Sequence, residues 1–311
     1  MSPIDFFDNL RFWNNRRSKL LNKLKIYSIA NRITDFLANI TLPIYFKLTA
    51  KKSQYKLSKK HEGQQVIVSI TSYPLRIPNL WKTIECLLRQ SVKPDRIVLY
   101  LTKSQVLEID RLPQSLLKLR ERGLEIRLCE EEIRSHTKYY PAMLDFPNDI
   151  IVTVDDDLYY RTDLLENNLK WHVQYPNAII ANWAKNILSS SPKYRDWPDV
   201  IEPGLSNHYL LLGVGSVLYP PHCLYQDVFK ADLIKELCLT ADDVWLSCMA
   251  LLAHTPIYFT GCKNHYLPVW IYNNTTLISV NKERNQKCVD NINSYYYERI
   301  KIRPFVDLPV S

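Results

Sequence analysis

The 311-residue chain has 46% apolar and 12% aromatic residues, ordinary proportions for a globular protein with a substantial core, in one large α/β domain or two small ones. Its charge of +8 is unevenly placed: residues 1–60 hold thirteen Lys and Arg against three Asp, a net of +10, which leaves −2 for the rest. A slightly acidic body argues against a nucleic-acid partner, and seven scattered cysteines without a C-x-x-C pair read as reduced core thiols rather than a zinc site.

Residues 1–60 mix Phe6, Phe7, Leu10, Trp13, Leu20, Leu21, Leu24, Ile33, Phe36 and Leu37 with basic side chains at spacings that predict amphipathic helices, broken later by Pro43. Such a basic extension either lies on an anionic membrane surface or packs on its own domain or a second subunit. No apolar stretch approaches the ~20 residues that span a bilayer, and no signal-peptide pattern opens the chain, so a cytoplasmic location is expected, peripheral to the membrane on the first of those readings. Lys51–Gln65 reads as the linker to a domain that runs from residue 61 to 311.

From residue 66 strands and helices alternate. Val66–Ile70 predicts a strand, Ile77–Leu88 a helix with Pro78 near its start, Arg96–Leu101 a strand, and Leu112–Arg122 a helix stopped by Gly123. Leu124–Leu128 and Ile150–Val154 complete a doubly wound, mostly parallel sheet flanked by helices. A G-x-G-x-x-G turn is absent, which argues against a dinucleotide-binding enzyme. The first strand opens instead into Thr71-Ser72-Tyr73-Pro74-Leu75-Arg76, whose hydroxyls, ring and guanidinium suit a nucleobase, a ribose and a diphosphate, although a plain polar turn has the same composition.

Residues 150–157, Ile-Ile-Val-Thr-Val-Asp-Asp-Asp, are the most informative stretch. A β-branched run is the pattern of a strand buried on both faces, and acids at its carboxyl end stand where open α/β sheets bind ligands. Asp155, Asp156 and Asp157 repel one another, and a cation relieves that; hard oxygen ligands favour Mg²⁺ or Mn²⁺. An acidic turn capping the next helix is the bland alternative. Further on, Leu212–Pro221 concentrates two of the six glycines, and Thr240-Ala-Asp-Asp-Val-Trp-Leu opens a helix with Asp242 and Asp243 in its first turn, where Thr240 and Asp243 also imitate a capping box.

The Thr-Ser-Tyr-Pro-Leu-Arg opening, the strand ending in three Asp and the Ala-Asp-Asp-Val-Trp-Leu segment together resemble nucleotide-sugar glycosyltransferases of the GT-A fold, and bacterial family-2-like enzymes of surface polysaccharide and lipopolysaccharide synthesis in particular. The resemblance covers about residues 66–275. It implies a metal-dependent transfer from a nucleoside-diphosphate sugar to a glycan or lipid-linked acceptor. Carried over residue by residue, Asp157 binds the metal, Asp155 lies toward both ribose and metal, Asp156 serves one or the other, and Lys138 lies near the nucleotide with Thr71, Tyr73, Arg76 and Thr102. Asp243 then serves as general base in an inverting transfer, with Asp242 beside it. Gly213, Gly215 and Ser216 border the sugars, Trp183, Trp245 and Trp270 are stacking candidates, and His265 is a possible third metal ligand. Where the family has an acid after the second strand, this chain has Thr102-Lys103-Ser104, so a UDP-sugar is the default donor rather than one read from a base-binding residue. A metal-dependent nucleotidyl- or phosphoryltransferase is the enzymatic rival, and a nonenzymatic adaptor built on the basic arm is the other.

Overall fold

A computed structural model describes residues 1–14, 26–57, 63–191, 193–261, 266–270 and 278–307. The expectations for Leu20, Leu21, Leu24, Cys262 and His265 lie outside those residues. Two helices, α1 (Pro3–Asn14) and α2 (Ile26–Thr49), precede β1 (Val66–Thr71), α3 (Ile77–Leu88), β2 (Arg96–Thr102), α4 (Gln114–Leu117), β3 (Leu124–Cys129), α5 (Tyr140–Asp145) and β4 (Ile150–Val154). Then come α6 (Leu164–Gln174), β5 (Ile179–Ala181), β6 (Ala184–Asn186), β7 (Gly204–Ser206), β8 (Tyr209–Leu211), β9 (Val217–Tyr219), α7 (Ala231–Leu237), α8 (Asp242–Leu252), β10 (Ile257–Phe259) and α9 (Ile278–Ile300).

Eight of the strands form one sheet in the order β3-β2-β1-β4-β9-β5-β10-β7, and β6 pairs with β8 in a separate ribbon. The neighbours β3, β2, β1 and β4 run parallel, as do β5 and β10. β9 is inserted antiparallel between β4 and β5, and β7 is an antiparallel edge. The α/β, mostly parallel architecture expected from the alternating pattern is therefore present. The β-branched runs are continuous because both sheet faces are covered. Val68, Ile70, Leu99, Val152 and Val154 join the core beneath α1, α2 and α3, while Ile67, Val98, Tyr100 and Ile151 pack with Ala142 of α5 on the other side.

The helix expected over Leu112–Arg122 divides into α4 and a tighter 3₁₀ turn, Lys118–Arg122, before Gly123. Its apolar anchors, Leu116 and Leu119, are three residues apart, the spacing a three-residue turn aligns. In the N-terminal extension, Thr34, Ala38, Leu42 and Phe46 recur every fourth residue of α2 and are buried. They share a core with Ile4 and Phe7 of α1. Arg89 fixes the end of α2 by donating to the Phe46 carbonyl (3.3 Å) and the Thr49 hydroxyl (3.0 Å). One face of the extension is thus packed on its own domain. The six described cysteines carry no disulfide.

Candidate active site

The carboxyl end of β4 meets three other segments. β1, its parallel neighbour, ends beside it and delivers residues 72–76. β9 runs the opposite way, with Val217 opposite Thr153, so the turn that precedes β9 reaches the same edge. The first turn of α8 supplies the fourth side.

Within the Asp triplet the three carboxylates have separate duties. Asp156 is closed: it accepts from the Ser72 hydroxyl at 2.6 Å and from Arg76 Nη1 at 2.6 Å, and only 7% of its side chain is exposed. Arg76 also reaches Asp157 at 3.1 Å and lies over the Tyr73 ring, 5.3 Å from its centroid. Two carboxylates raise the guanidinium's proton affinity further, against the effect of burial. Burial, helped by the charges of Asp155 and Asp156, pushes Asp157 up to about 6 even with Arg76 beside it. Asp155 and Asp157 keep 30% and 21% of their side chains open. They are the carboxylates with open surface from which a hard divalent cation could be held. Among the described residues no three His, Cys, Asp or Glu side chains form a metal cage by themselves.

The second group is drier. Lys138 is buried, and its ammonium donates to Asp155 Oδ1 at 2.9 Å and lies 2.8 Å from Asp242 Oδ2. One cation therefore joins the strand-end triplet to the helix-start pair. Burial opposes its charge, but Asp155, Asp242 and Asp243 outweigh that and hold the proton firmly. The pair itself is split. Burial would raise Asp242, yet Lys138 and His136 hold it below the usual carboxylate range. Asp243 is pushed well above that range by burial and then by the charge of Asp242, with Lys138 pulling less strongly the other way. Two neighbouring acids with opposed proton affinities are the arrangement in which one stays ionised and the other handles a proton.

Glycine makes the approach possible. The Gly213 amide donates to Asp243 Oδ1 at 2.8 Å, and a Cβ at Gly213 would stand 2.8 Å from Lys138 Nζ and 2.9 Å from Asp243 Oδ1. At Gly215 (φ 85°) a Cβ would strike the Trp183 ring at 2.7 Å. A buried polar chain pins this turn: Asn168 donates to the Ser216 hydroxyl, Asn182 to Asn168 and to the Gly215 carbonyl, and Thr260 to Asn182.

Thr71, Tyr73, Arg76, Lys138, Asp155, Asp156, Asp157, Asp242, Asp243, Gly213 and Gly215 gather at this edge, with Thr71 tied to the Tyr100 carbonyl at 2.8 Å. Four expectations change. Trp245 has no exposed surface and belongs to the core, because α8 is apolar on every side after its first turn, so it cannot stack on a sugar. Ser216 is fully buried with its hydroxyl spent in the polar chain. Thr102 is buried at the end of β2, two strands from β4. Thr240 is not an N-cap: Ala241 holds that position with no side-chain cap, and the two acids turn to Lys138 and the Gly213 amide instead. Trp270 is 46% exposed and packs against Phe36, while His265 lies outside the described residues. Sequence reasoning missed Ser72 and Tyr160, whose hydroxyl accepts from the Asp155 amide at 2.7 Å. Ser72 sat inside the quoted loop, but nothing in the local sequence ties Tyr160 back to Asp155.

No protein-family model matches the chain, and no curated protein does. Among solved structures, it is similar to a mannosyltransferase, PcManGT from Pyrobaculum calidifontis in complex with GDP-Man and Mn²⁺, with a TM-score of 0.46 and 14% identity over 88% of this chain and 77% of that one. It is also similar to a CMP:2-keto-3-deoxy-manno-octonic acid synthetase complexed with CTP (0.37, 11%, 63% of this chain and 89% of that one). A third is the 4-diphosphocytidyl-2C-methyl-D-erythritol synthase from Anaerococcus prevotii (0.36, 14%, 56% and 82%).

Proposed function

We propose that this chain is a glycosyltransferase that moves a sugar from a nucleoside-diphosphate sugar, with a UDP-sugar as the default donor, to a hydroxyl of a glycan or lipid-linked acceptor. The observation that carries the reading is the pairing of a partly open carboxylate set at a sheet's carboxyl edge with a split acid pair, joined through the buried ammonium of Lys138. A nucleotide diphosphate needs the first and an attacking hydroxyl needs the second.

In this reading Tyr73 and Thr71 border the nucleoside and Arg76 faces the diphosphate. Asp155 and Asp157 would hold Mn²⁺ or Mg²⁺, which when bound supplies neutralisation of charge on the departing nucleoside diphosphate. Asp243 accepts the acceptor's proton as the acceptor oxygen bonds to the anomeric carbon and the bond from that carbon to the diphosphate oxygen breaks. Attack from the face opposite the leaving group inverts the anomeric centre. A raised proton affinity suits Asp243 to the task, because a base that gains a proton readily near neutral pH is the efficient one, and activity should rise from neutral to mildly alkaline pH as the carboxyl ionises. Asp242, held ionised by Lys138, keeps that affinity high.

The test is product analysis with a panel of nucleoside-diphosphate sugars and Mn²⁺. Release of nucleoside diphosphate with sugar transfer to the acceptor, lowered about 10²- to 10⁴-fold by Asp243→Asn, is expected. Asn retains the oxygen that accepts from the Gly213 amide and lacks only the basicity. Formation of pyrophosphate from a nucleoside triphosphate and a sugar phosphate would instead establish the nucleotidyltransferase reading.

A further inference from the structure

The outer face of α2 has no part in the site. Ile29, Ile33, Phe36, Leu37, Ile40 and Ile44 recur three and four residues apart, and each has about half of its surface exposed. They lie opposite the buried row Thr34, Ala38, Leu42 and Phe46, so the helix is apolar on two sides and only the inner one is covered. From Ile29 to Ile44 the row is about 23 Å long, on a helix of 24 residues. Single exposed apolar residues are ordinary, but a continuous row along a helix marks a surface that binds something.

The charges around the row select the occupant. All three acids of residues 1–60 have internal partners: Asp5 accepts from the Thr162 amide and hydroxyl, Asp8 from Arg161, and Asp35 pairs with Arg11 at 2.7 Å. Arg32, Lys47, Lys51, Lys52 and Lys56 are exposed. A second copy of the chain would bring two extensions of +10 face to face. An anionic lipid surface supplies an apolar bed and the opposite charge together. Among the described residues no helix is long and apolar enough to cross a membrane, so insertion would be along the surface.

We propose that the outer face of α2 docks on an anionic lipid bilayer, with its isoleucines and Phe36 in the acyl boundary and the flanking lysines and arginine at the headgroups. The surface is joined to the carboxylate site by short links. The Phe36 and Trp270 rings are 5.6 Å apart, the Trp270 amide donates to Asn39 Oδ1 at 2.8 Å, and the Val269 amide donates to the Asp157 carbonyl at 2.8 Å. Trp270, half exposed at the edge of the row, has the amphipathic ring that favours the interfacial layer. Docking would therefore bring the rim of the site to the membrane plane.

Vesicle co-sedimentation of the full chain tests this without any donor or acceptor, so its outcome is independent of the transfer reaction. Binding to vesicles of phosphatidylcholine with phosphatidylglycerol, weaker on phosphatidylcholine alone and weakened by salt, is expected. Ile33→Glu with Ile40→Glu should reduce it about tenfold or more, and Ile33→Ala with Ile40→Ala, which adds no charge, should reduce it to a smaller degree. Circular dichroism confirms that each variant is folded. Absence of binding to the anionic vesicles, or binding by folded variants equal to the unaltered protein, would overturn the proposal. A dimer seen by sedimentation velocity, split by the same substitutions and indifferent to vesicles, would assign the face to a second copy instead.

Discussion

The strand-end triplet and the helix-start pair are built from the same side chain and behave differently. At residues 155–157 the acids crowd together at a partly open edge, one is paired with Arg76 and accepts from Ser72, and two keep open surface. At residues 242–243 Asp242 is buried and Asp243 partly so, and one ammonium and one backbone amide divide them into a firmly ionised partner and a proton-avid one. Environment, rather than residue type, sets which carboxylate is paired, which stays open and which holds a proton. Lys138 belongs to both groups, so the contrast between them depends on it.

The largest effect is therefore expected from Lys138→Met. It removes the cation and leaves Asp242 buried without a counter-charge, a loss of about 3–5 kcal/mol in denaturant unfolding. Adding Asp242→Asn to that variant should restore much of the loss, and a double variant no more stable than Lys138→Met would sever the proposed link. Next is the pH response of His136, which is completely buried between the Tyr139 hydroxyl (2.9 Å) and the Cys238 carbonyl (2.8 Å). Burial lowers it from 6.5 to about 4, despite the nearby charge of Asp242. The unfolded chain then binds more protons in that interval, so this contribution is whole above pH 6.5 and disappears as pH falls towards about 4. The difference between the unaltered protein and His136→Gln in pH-dependent unfolding should change by on the order of 3 kcal/mol across the interval. Equal slopes for the two would contradict the neutral, buried imidazole. The smallest expected loss is for Gly213→Ala. Its new methyl meets the ends of Lys138 and Asp243, which can shift only by stretching the contacts that hold them, so stability should fall by about 1–3 kcal/mol, less than for Lys138→Met. Displacing both by a fraction of an ångström should lower kcat about tenfold to 10²-fold, read in the transfer assay.

Much of the sheet's first half was legible because each of its strands is long enough to carry a pattern. β1, β2, β3 and β4 were located within a residue or two, as was α3, since the largely apolar runs of β1, β2 and β4, the apolar–charged alternation of β3 and a helical spacing are local signals. β5, β7 and β9 have three residues each, too few for a period, and the antiparallel insertion of β9 depends on partners that the local sequence does not name. The triplet at the end of β4 was readable for the same local reason. Lys138 could be named but not ranked against an exposed loop lysine, because its partners lie 17 and 104 positions away. Trp245 and Ser216 misled because burial is a tertiary property: a tryptophan beside two acids looks exposed until α8 is enclosed, and a serine beside glycines looks reachable until Asn168 claims it.

The most direct test of the division between the two acid groups is calorimetric titration of UDP with and without Mn²⁺, on the unaltered protein, Asp157→Ala and Asp243→Asn. Manganese-dependent binding that is lost in Asp157→Ala and kept in Asp243→Asn is the result expected if the triplet holds the cation and nucleotide while the pair handles the proton. Binding that ignores both Mn²⁺ and Asp157→Ala would contradict it.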